Sequence, residues 1–464
     1  MSMIVRMAVM LAPVCAACAT HDVVVGQLDE LVALPAVPNH DLDLLFVIDD
    51  SESMADKQLA LAAAFPRMAD RLAQLDGGLP NLHIGVVTSD MGTQGSAVAA
   101  PGPDVPPVGA GGCSGVGRDG ALQVHGVDLG GQRFLSDVED AAAPGGRARN
   151  YAGDLRDAVA ALLQVGDTGC GFEQHLAALR RSFTNPANAG FFRPDANLGI
   201  VILADEDDCS MLDPRLMSND APELGPRQSF RCFDQGVICV PGASRTPGDK
   251  RDCVPRADGA LIESIDPFVA AVAAVKPDPR RVMVTAVVGD PAPVEVVLAA
   301  PNAGELPIPA LAPSCTFDGP GGPERADPAV RLAAFVDRFA GRLAGSSLGS
   351  ICSADLTGPV DAIAQTARRM VGDPCIDTTG LADASSDPGI QPACEVLDVR
   401  DSDSAHPSSL PPCTSAAATD CYAIAPDAAN CPAGDDHLRL QLRRSTPAAA
   451  DTWTHVRCQR ASAK

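Results

Sequence analysis

The sequence predicts an α/β fold built on a doubly wound, mostly parallel β-sheet. Two observations lead to this prediction. Short apolar runs of strand length alternate with segments whose apolar residues recur at helical spacing. The first of these runs is continuously apolar, as a strand that is buried on both faces requires. With 464 residues, of which 46% are hydrophobic, the chain is also long enough for a large core.

The elements follow one another along the first three quarters of the chain. A continuous apolar run predicts a strand at 44–48, and mainly apolar runs of similar length predict strands at 83–88, 200–204 and 282–288. Helical spacing predicts helices between and after them, the last at 360–371. Sheets of this type bind their ligands at the carboxyl ends of the strands. Polar residues that directly follow these strands are therefore candidates for a functional site.

Two Asp-Pro pairs predict where helices begin. Asp is a favoured helix-capping residue, and Pro is favoured at the first helical position. Asp266 therefore predicts the start of a helix before the strand at 282–288, and Asp327 predicts the start of a later one.

Composition divides the chain into an α/β domain at 41–375 and a small C-terminal module at 376–464. The domain is interrupted at about 99–120 and 209–258 by stretches rich in Pro, Gly or Cys, which we interpret as disulfide-held insertions. The C-terminal module contains five cysteines and short alternating runs such as 438–442. It is predicted to be β-rich and to depend on disulfides.

The cysteines and the N-terminus predict export. Sixteen cysteines favour an oxidising compartment, and we expect disulfides rather than zinc sites. Residues 1–18 have the charge, apolar run and small residues of a leader, and 19–40 is interpreted as a tether. Cys18 follows two alanines and is a candidate for lipidation, which predicts anchoring to a bacterial cell envelope. Simple secretion is the alternative. Without Cys15 and Cys18, fourteen cysteines remain, enough for seven disulfides.

The charge of the chain limits its partners. A formal net charge of -24 disfavours nucleic acid and anionic lipid surfaces. We therefore expect contact with a membrane only through a lipid anchor. Divalent cations are the natural counter-charge.

A cluster of polar residues follows the first predicted strand. Asp49, Ser51 and Ser53 form a D-x-S-x-S sequence between that strand and an amphipathic helix. A helix cap would explain one such residue, but five polar residues stand here in a row. A hard divalent ion takes oxygen ligands, and two hydroxyls with one carboxylate leave it electron-poor. Such an ion could accept a carboxylate from another molecule.

Two other loops are expected to complete the site. Asp205 ends the strand at 200–204, and Thr168 lies in a Gly-Asp-Thr-Gly loop before a predicted helix. Both loops belong to the same edge of the predicted sheet. His175, on that helix, is set aside because a lone helical histidine is usually solvated.

These residues resemble the metal-ion-dependent adhesion site (MIDAS) of von Willebrand factor A (vWA) domains. In that family a D-x-S-x-S loop, a Thr on a second loop and an Asp on a third bind the ion. The matching positions here are Asp49, Ser51, Ser53, Thr168 and Asp205. The resemblance covers roughly 41–375, with long insertions, and extends to bacterial lipoproteins with Cys-rich insertions. It implies a Rossmann-like fold, a Mg²⁺, Mn²⁺ or Ca²⁺ ion, and a non-enzymatic role in adhesion or protein binding.

The chain departs from the family pattern in its acidic residues. Glu52 stands where the family has Gly, and Asp205 is followed by Glu206, Asp207 and Asp208. These carboxylates are candidate additional ligands, which would neutralise the ion or shift the preference toward Ca²⁺.

The sequence thus predicts an exported binding protein of the adhesion or scaffold type. Its partner would be a protein that presents a carboxylate, and the chain would not be an enzyme. One alternative is a metal-assisted hydrolase that uses the acidic loops around Asp205, although no general base stands out. The other is a purely structural envelope protein.

Overall fold

The computed structural model describes residues 28–75, 77–108, 111–300, 304, 306–340, 345–376, 378, 380–385, 388–428, 431 and 438–461. The predicted leader, the lipidation candidate Cys18 and the first part of the predicted tether lie outside these residues. No helix within the described ranges is long and apolar enough to cross a membrane.

The described residues form twenty strands. In chain order they are β1 (Leu28–Pro35), β2 (Asp41–Ile48), β3 (Asn81–Thr88), β4 (Leu135–Glu139), β5 (Arg147–Arg149), β6 (Asn197–Ala204), β7 (Val237–Val240), β8 (Gly248–Pro255), β9 (Val282–Val288), β10 (Val294–Ala299), β11 (Ile308–Leu311), β12 (Cys315–Gly319), β13 (Gly322–Ala326), β14 (Ser346–Ser350), β15 (Cys375–Ile376), β16 (Cys394–Arg400), β17 (Asp403–Leu410), β18 (Cys421–Pro426), β19 (Leu438–Arg443) and β20 (Thr452–Gln459).

Seven α-helices occur in the same described ranges. They are α1 (Ala55–Ala73), α2 (Leu155–Leu162), α3 (His175–Ser182), α4 (Phe230–Gly236), α5 (Asp266–Ala274), α6 (Val330–Asp337) and α7 (Thr357–Val371).

The central sheet has seven strands in the order β14-β9-β6-β2-β3-β4-β5. The strands from β14 to β3 are parallel, whereas β4 and β5 join antiparallel beyond β3. Side chains alternate between two cores. Leu44 and Phe46 of β2 pack on the side of α1, α2 and α7, and Leu45 and Val47 pack on the side of α3, α5 and α6. Burial of both faces explains why β2 is continuously apolar from Leu44 to Ile48.

The predicted fold class, a doubly wound and mostly parallel Rossmann-like sheet, is wrong for this chain. The central sheet is mixed, and the other four sheets, with thirteen of the strands, are antiparallel throughout. Only α1 and α7 are longer than nine residues among the described helices. Several of these strands pair with a sequence neighbour as antiparallel hairpins, such as β7 with β8, β10 with β11 and β16 with β17, whereas β20 pairs with β1 and β16. Most of these strands were not predicted, because they lack the long apolar runs of the central strands.

The C-terminal module contains strands from both ends of the described chain. β1 pairs antiparallel with β20, which also pairs with β16, and Leu34 lies in the same small core as Val456. Residues 28–35, interpreted from the sequence as tether, therefore form an integral strand. The β-rich character expected after residue 376 agrees with strands β16 to β20.

The prediction of seven disulfides is confirmed. All fourteen cysteines from Cys113 onward are paired, as Cys113–Cys170, Cys209–Cys232, Cys239–Cys253, Cys315–Cys352, Cys375–Cys431, Cys394–Cys458 and Cys413–Cys421. A chain with this many disulfides belongs to an oxidising compartment outside the cytosol.

Candidate metal centre

The D-x-S-x-S segment forms a tight loop at the carboxyl end of β2. Asp49, Asp50 and Ser51 are buried, and the backbone N–H of Ser51 donates to Asp49 Oδ1 at 2.9 Å. The Gln58 side chain from α1 donates to the backbone carbonyl of Asp49 at 3.0 Å. The loop is thus fixed from two directions before the helix begins.

The hydroxyl groups of this loop are not used as helix caps. Ser51 precedes a short 3₁₀ turn at Glu52–Met54, yet its side chain makes no capping hydrogen bond there. Instead, Ser51 Oγ lies 3.4 Å from Ser53 Oγ. A helix cap would require the hydroxyl to accept from a backbone N–H of the first turn. Both hydroxyls therefore remain as oxygen donors beside Asp49.

Asp205 lies beside this loop, at the carboxyl end of the neighbouring strand β6. Its side chain is 3% exposed. Burial and the nearby Asp49 carboxylate raise the pKa of Asp205, while Lys57 and Ser53 oppose the rise. The pairing of β2 with β6 thus brings together two carboxylates that are far apart in sequence.

Two carboxylate oxygens at this point are buried without a hydrogen-bond partner. They are Asp49 Oδ2 and Asp205 Oδ1. A buried polar atom without a partner costs about 1–3 kcal/mol, and more if it is charged. A cation between the two carboxylates would satisfy both atoms.

Thr168 lies on the loop that meets the first one. The backbone N–H of Gly169 donates to the carbonyl of Asp50 at 2.7 Å, while Thr168 itself is solvent-exposed. The approach is close, because a Cβ on Gly169 would lie 2.3 Å from Asp50 Oδ1. The loop of Thr168 thus lies against the first loop, and Thr168 is accessible to solvent.

Two disulfides hold the loops around the site. Cys170, two residues after Thr168, is bonded to Cys113, and Cys209, four residues after Asp205, is bonded to Cys232. Each bridge runs from a site loop into one of the Cys-rich stretches. These four cysteines belong to one buried apolar cluster with Phe172.

The additional acidic residues have different surroundings. Glu52 is exposed at the edge of the cleft. The Asp207 carboxylate accepts from the backbone N–H groups of Arg331 and Leu332 at the start of α6. Asp208 forms a buried ion pair with Arg331 at 2.9 Å. Asp207 and Asp208 are thus engaged in holding helices.

Glu206 contacts the carboxylate of Glu173, which the sequence did not predict as part of the site. Glu206 and Glu173 share a side-chain hydrogen bond and line a neighbouring cavity together. Burial raises the pKa of Glu206 to about 8, with Asp327 and Asp205 adding to the rise. Burial and the adjacent Glu206 raise the pKa of Glu173 well above its usual range. At neutral pH this pair holds at least one proton.

His175 also lies at the site, although the sequence analysis set it aside as solvated. The side chain is fully buried, and its Nε2 lies 3.6 Å from Asp49 Oδ2. Burial lowers the pKa of His175, but the carboxylates of Asp49, Asp208 and Asp207 together raise it overall. The helical position of His175 was visible in the sequence, whereas its inward direction depends on how α3 packs.

Lys57 is the third residue that was missed. It stands in the first turns of α1, and its Nζ lies 3.0 Å from Asp205 Oδ2 and 2.5 Å from Glu324 Oε2. The ammonium also donates to the carbonyl of Ser53 at 2.9 Å. Burial lowers the pKa of Lys57, but contact with Asp205 and Glu324 raises it overall. The spacing of four residues from Ser53 was the only sequence signal.

The site opens into a cleft of about 460 Å³. The cleft is lined by Ser53, Lys57 and Asp205, by Glu324 of the β12–β13 hairpin, and by Asp327, which follows the hairpin and donates its backbone N–H to the Asp205 carbonyl at 2.8 Å. The hairpin is fixed at its base by the bond from Cys315 to Cys352. The cleft is wide enough for a small acidic group.

The donors suit a hard divalent ion that is bound mainly through oxygen. No group of three or more His, Cys, Asp or Glu side chains in the described part of the chain is arranged to hold a metal. The vWA adhesion site, which the sequence resembles, binds its ion with two carboxylates and with hydroxyl groups. The two unpartnered oxygens of Asp49 and Asp205, with the hydroxyls of Ser51 and Ser53, match that donor chemistry.

No protein-family model matches the sequence, and no curated protein matches it. Two solved structures have a remote likeness. The pilus adhesin SpaC from Lactobacillus rhamnosus GG, in its open conformation, is 8% identical over 91% of this chain and 39% of that one, with a TM-score of 0.31. The human COPII-coat protein Sec24c is 11% identical over 92% of this chain and 39% of that one, with a TM-score of 0.27. The chain therefore spans about two fifths of either structure. Likeness at this level carries no argument about fold or function.

Proposed function

We propose that this exported protein binds a divalent ion at the carboxyl ends of β2 and β6, and uses it to capture a partner. The observation that carries the proposal is the pair of buried oxygens on Asp49 and Asp205 that accept no hydrogen bond, with His175 Nε2 no closer than 3.6 Å to the Asp49 oxygen. Ser51, Ser53 and Thr168 would complete the ligand set, as the resemblance to the vWA adhesion site implies. The ion would be Mg²⁺, Mn²⁺ or Ca²⁺.

The partner is proposed to be a protein that presents a carboxylate. An ion bound by two carboxylates and neutral hydroxyls is formally neutral, but it keeps an open coordination position that can take an oxygen from another molecule. Thr168 and the cleft are open to solvent, so an acidic side chain could reach the ion. The chain's own residues would orient the ion, and the partner's carboxylate oxygen would fill the open position.

We further propose that Cys18 carries a lipid anchor, which would place the protein on a bacterial cell envelope. The motif in the leader supports this, together with the oxidising environment that the disulfides require. Mass spectrometry of the mature N-terminus tests it. A free N-terminus at another residue, without a lipid, would contradict the anchor and favour secretion.

Calorimetric titration with Mg²⁺, Mn²⁺ and Ca²⁺ tests the metal site. Asp49→Asn and Asp205→Asn are each expected to weaken binding at least tenfold, because each removes a negative charge and a ligand oxygen (tenfold is about 1.4 kcal/mol). Glu139→Gln is the matched control, since Glu139 is exposed and lies toward the amino end of β3, away from the site. Undiminished affinity in both site variants would refute the proposal.

Capture of an acidic partner is tested separately. Carboxylate-bearing peptides immobilised on a sensor are expected to retain the wild type in divalent ion and release it in EDTA. Amidated versions of the same peptides are the control. Metal binding without retention of any acidic peptide would leave the site as a structural metal centre in an envelope protein.

A metal-assisted hydrolase is a second candidate, which the Glu173–Glu206 pair favours. A carboxyl group with a pKa of about 8 next to the metal cleft could donate a proton to a leaving group. Turnover of phosphoester and peptide panels by the wild type, lost in Glu206→Gln with metal affinity retained, would support this candidate over pure binding.

A further inference from the structure

Lys57 brings a permanent positive charge to the proposed metal ligands. Lysine is rare in this chain: only Lys57, Lys250, Lys276 and Lys464 occur among 35 basic side chains. Lys57 is nevertheless 1% exposed and lies against Asp205. Its ammonium is a compact charge, which can lie between several oxygen atoms at once.

The ammonium and a divalent ion would compete for the same carboxylate. Lys57 Nζ already contacts Asp205 Oδ2 at 3.0 Å, while Asp205 Oδ1 is left without a partner. Two cations on one carboxylate repel each other strongly in a buried site, where the effective dielectric constant is far below that of water. Metal binding therefore weakens the hold of Asp205 on Lys57.

Glu324 offers the ammonium an alternative place. Its Oε2 lies 2.5 Å from Lys57 Nζ, and Glu324 is 21% exposed on the hairpin across the cleft. The carbonyl of Ser53 accepts from the same ammonium at 2.9 Å. Glu324 Oε2 and the Ser53 carbonyl remain available as acceptors for the ammonium when the Asp205 carboxylate binds the divalent ion. The hairpin itself is held over α1, since the N–H of Gly321 donates to Asp56 Oδ2 at 2.9 Å.

We propose that Lys57 is a built-in counter-ion that holds Asp205 in the metal-free protein and sets the affinity for the divalent ion. Glu324 and the Ser53 carbonyl retain the ammonium when the ion displaces it from Asp205. The inference concerns regulation of the proposed metal site and rests on that function. The Lys57 counter-ion stabilises the metal-free protein and restricts binding of the divalent ion to sufficiently high ion concentrations.

Titration calorimetry on Lys57 and Glu324 variants tests this inference. Lys57→Met, which keeps the length of the side chain and removes its charge, is expected to tighten Mg²⁺ and Ca²⁺ binding at least tenfold. Glu324→Gln is expected to weaken it, because the displaced ammonium loses its acceptor. Asp318→Asn is the matched control for loss of one carboxylate on the same hairpin, since Asp318 is exposed on β12. The excess effect of Glu324→Gln over Asp318→Asn is expected to vanish in the Lys57→Met background.

Thermal unfolding provides an independent readout. In EDTA, Lys57→Met is expected to have a lower melting temperature than the wild type, because Asp205 loses its buried counter-charge. Addition of the divalent ion is expected to raise the melting temperature of Lys57→Met more than that of the wild type. Glu324→Gln keeps Lys57 in place and serves if Lys57→Met does not fold.

The outcomes separate the inference from the proposed function. Metal affinity within twofold of the wild type in Lys57→Met and Glu324→Gln, together with lost binding in Asp49→Asn, refutes the role of Lys57 alone. Binding by Lys57→Met but not by the wild type refutes a metal-dependent function and supports Lys57 as the resident cation. No binding by either protein refutes both.

Discussion

Four acidic side chains follow β6 in succession, and each has different neighbours. Asp205 meets Lys57, Glu206 shares a hydrogen bond with Glu173, and Asp207 and Asp208 serve the start of α6 and its Arg331. From the sequence Asp205 was the predicted metal ligand, and the three carboxylates after it were candidate additional ligands. Their different partners now separate the proposed ligand Asp205 from residues that hold the surrounding structure.

His83 provides a test at the scale of one residue. Its ring lies close to Phe134, and Nδ1 is 3.1 Å from the carbonyl of Phe191. Burial lowers the pKa of His83 below its usual value of 6.5. Just below pH 6.5 the unfolded chain then binds more protons than the folded one. The contribution of neutral His83 to the free energy of unfolding is therefore fully present above pH 6.5 and is lost as the pH falls through the pKa of the folded state.

The difference in free energy of unfolding between the wild type and His83→Gln is expected to change with pH. Glutamine keeps a hydrogen-bond donor but does not titrate. Urea unfolding at pH 7.5 and pH 5 is expected to show the advantage of the wild type shrinking at the lower pH. An advantage that stays constant or grows toward pH 5 would contradict a neutral, buried His83.

Among the elements, the loop after β6 links the site to helix α6. Asp207 accepts two backbone N–H groups that would otherwise have no partner at the start of that helix. The predicted start at Asp327 lies three residues too early, since α6 begins at Val330. The N–H of Asp327 donates to the carbonyl of Asp205 instead. A cap from another loop could not be read from the local sequence.

Asp207→Ala is expected to destabilise the protein by about 1 kcal/mol, the usual effect of losing a helix cap. Metal affinity is expected to stay within twofold of the wild type, because Asp207 is engaged with α6. Chemical denaturation and calorimetric titration measure the two effects. A tenfold loss of metal affinity with unchanged stability would show instead that Asp207 is a ligand. Asp213→Ala is the control for loss of a cap, because Asp213 caps a neighbouring 3₁₀ turn.

At the scale of the whole molecule, the two ends of the described chain form one module. β1 completes the sheet of β20 and β16, and Leu34 is 4% exposed in its core. Cys394 and Cys458 join β16 to β20 across a separation of 64 residues. The N-terminal segment thus contributes to the stability of a module that begins more than 300 residues later in the sequence.

Leu34→Ala is expected to destabilise this module by about 2–5 kcal/mol, as is usual for a buried leucine. Trp453, the single tryptophan of the chain, lies on β20 opposite Pro35 and reports the transition by fluorescence. Leu59→Ala, at an exposed position on α1, is the control. Equal stability of Leu34→Ala and Leu59→Ala would mean that β1 contributes little to the module.

The sequence by itself determined the elements with strong local patterns. Four apolar runs became strands β2, β3, β6 and β9, because burial on both faces requires mainly apolar residues. The even count of cysteines after the leader determined that seven disulfides were possible, and their chain order placed Cys170 and Cys209 near the candidate site. Asp49, Ser51 and Asp205 became candidate ligands because they directly follow apolar strands.

Only the tertiary structure decided which residues meet. The antiparallel sheets, and with them the fold class, depend on pairing between segments that lack a strong pattern of their own. Lys57, Glu173 and Glu324 come from a helix, a loop and a hairpin that approach the strand ends only after folding. Contacts between distant segments depend on packing and charge in three dimensions, and a local sequence pattern contains neither.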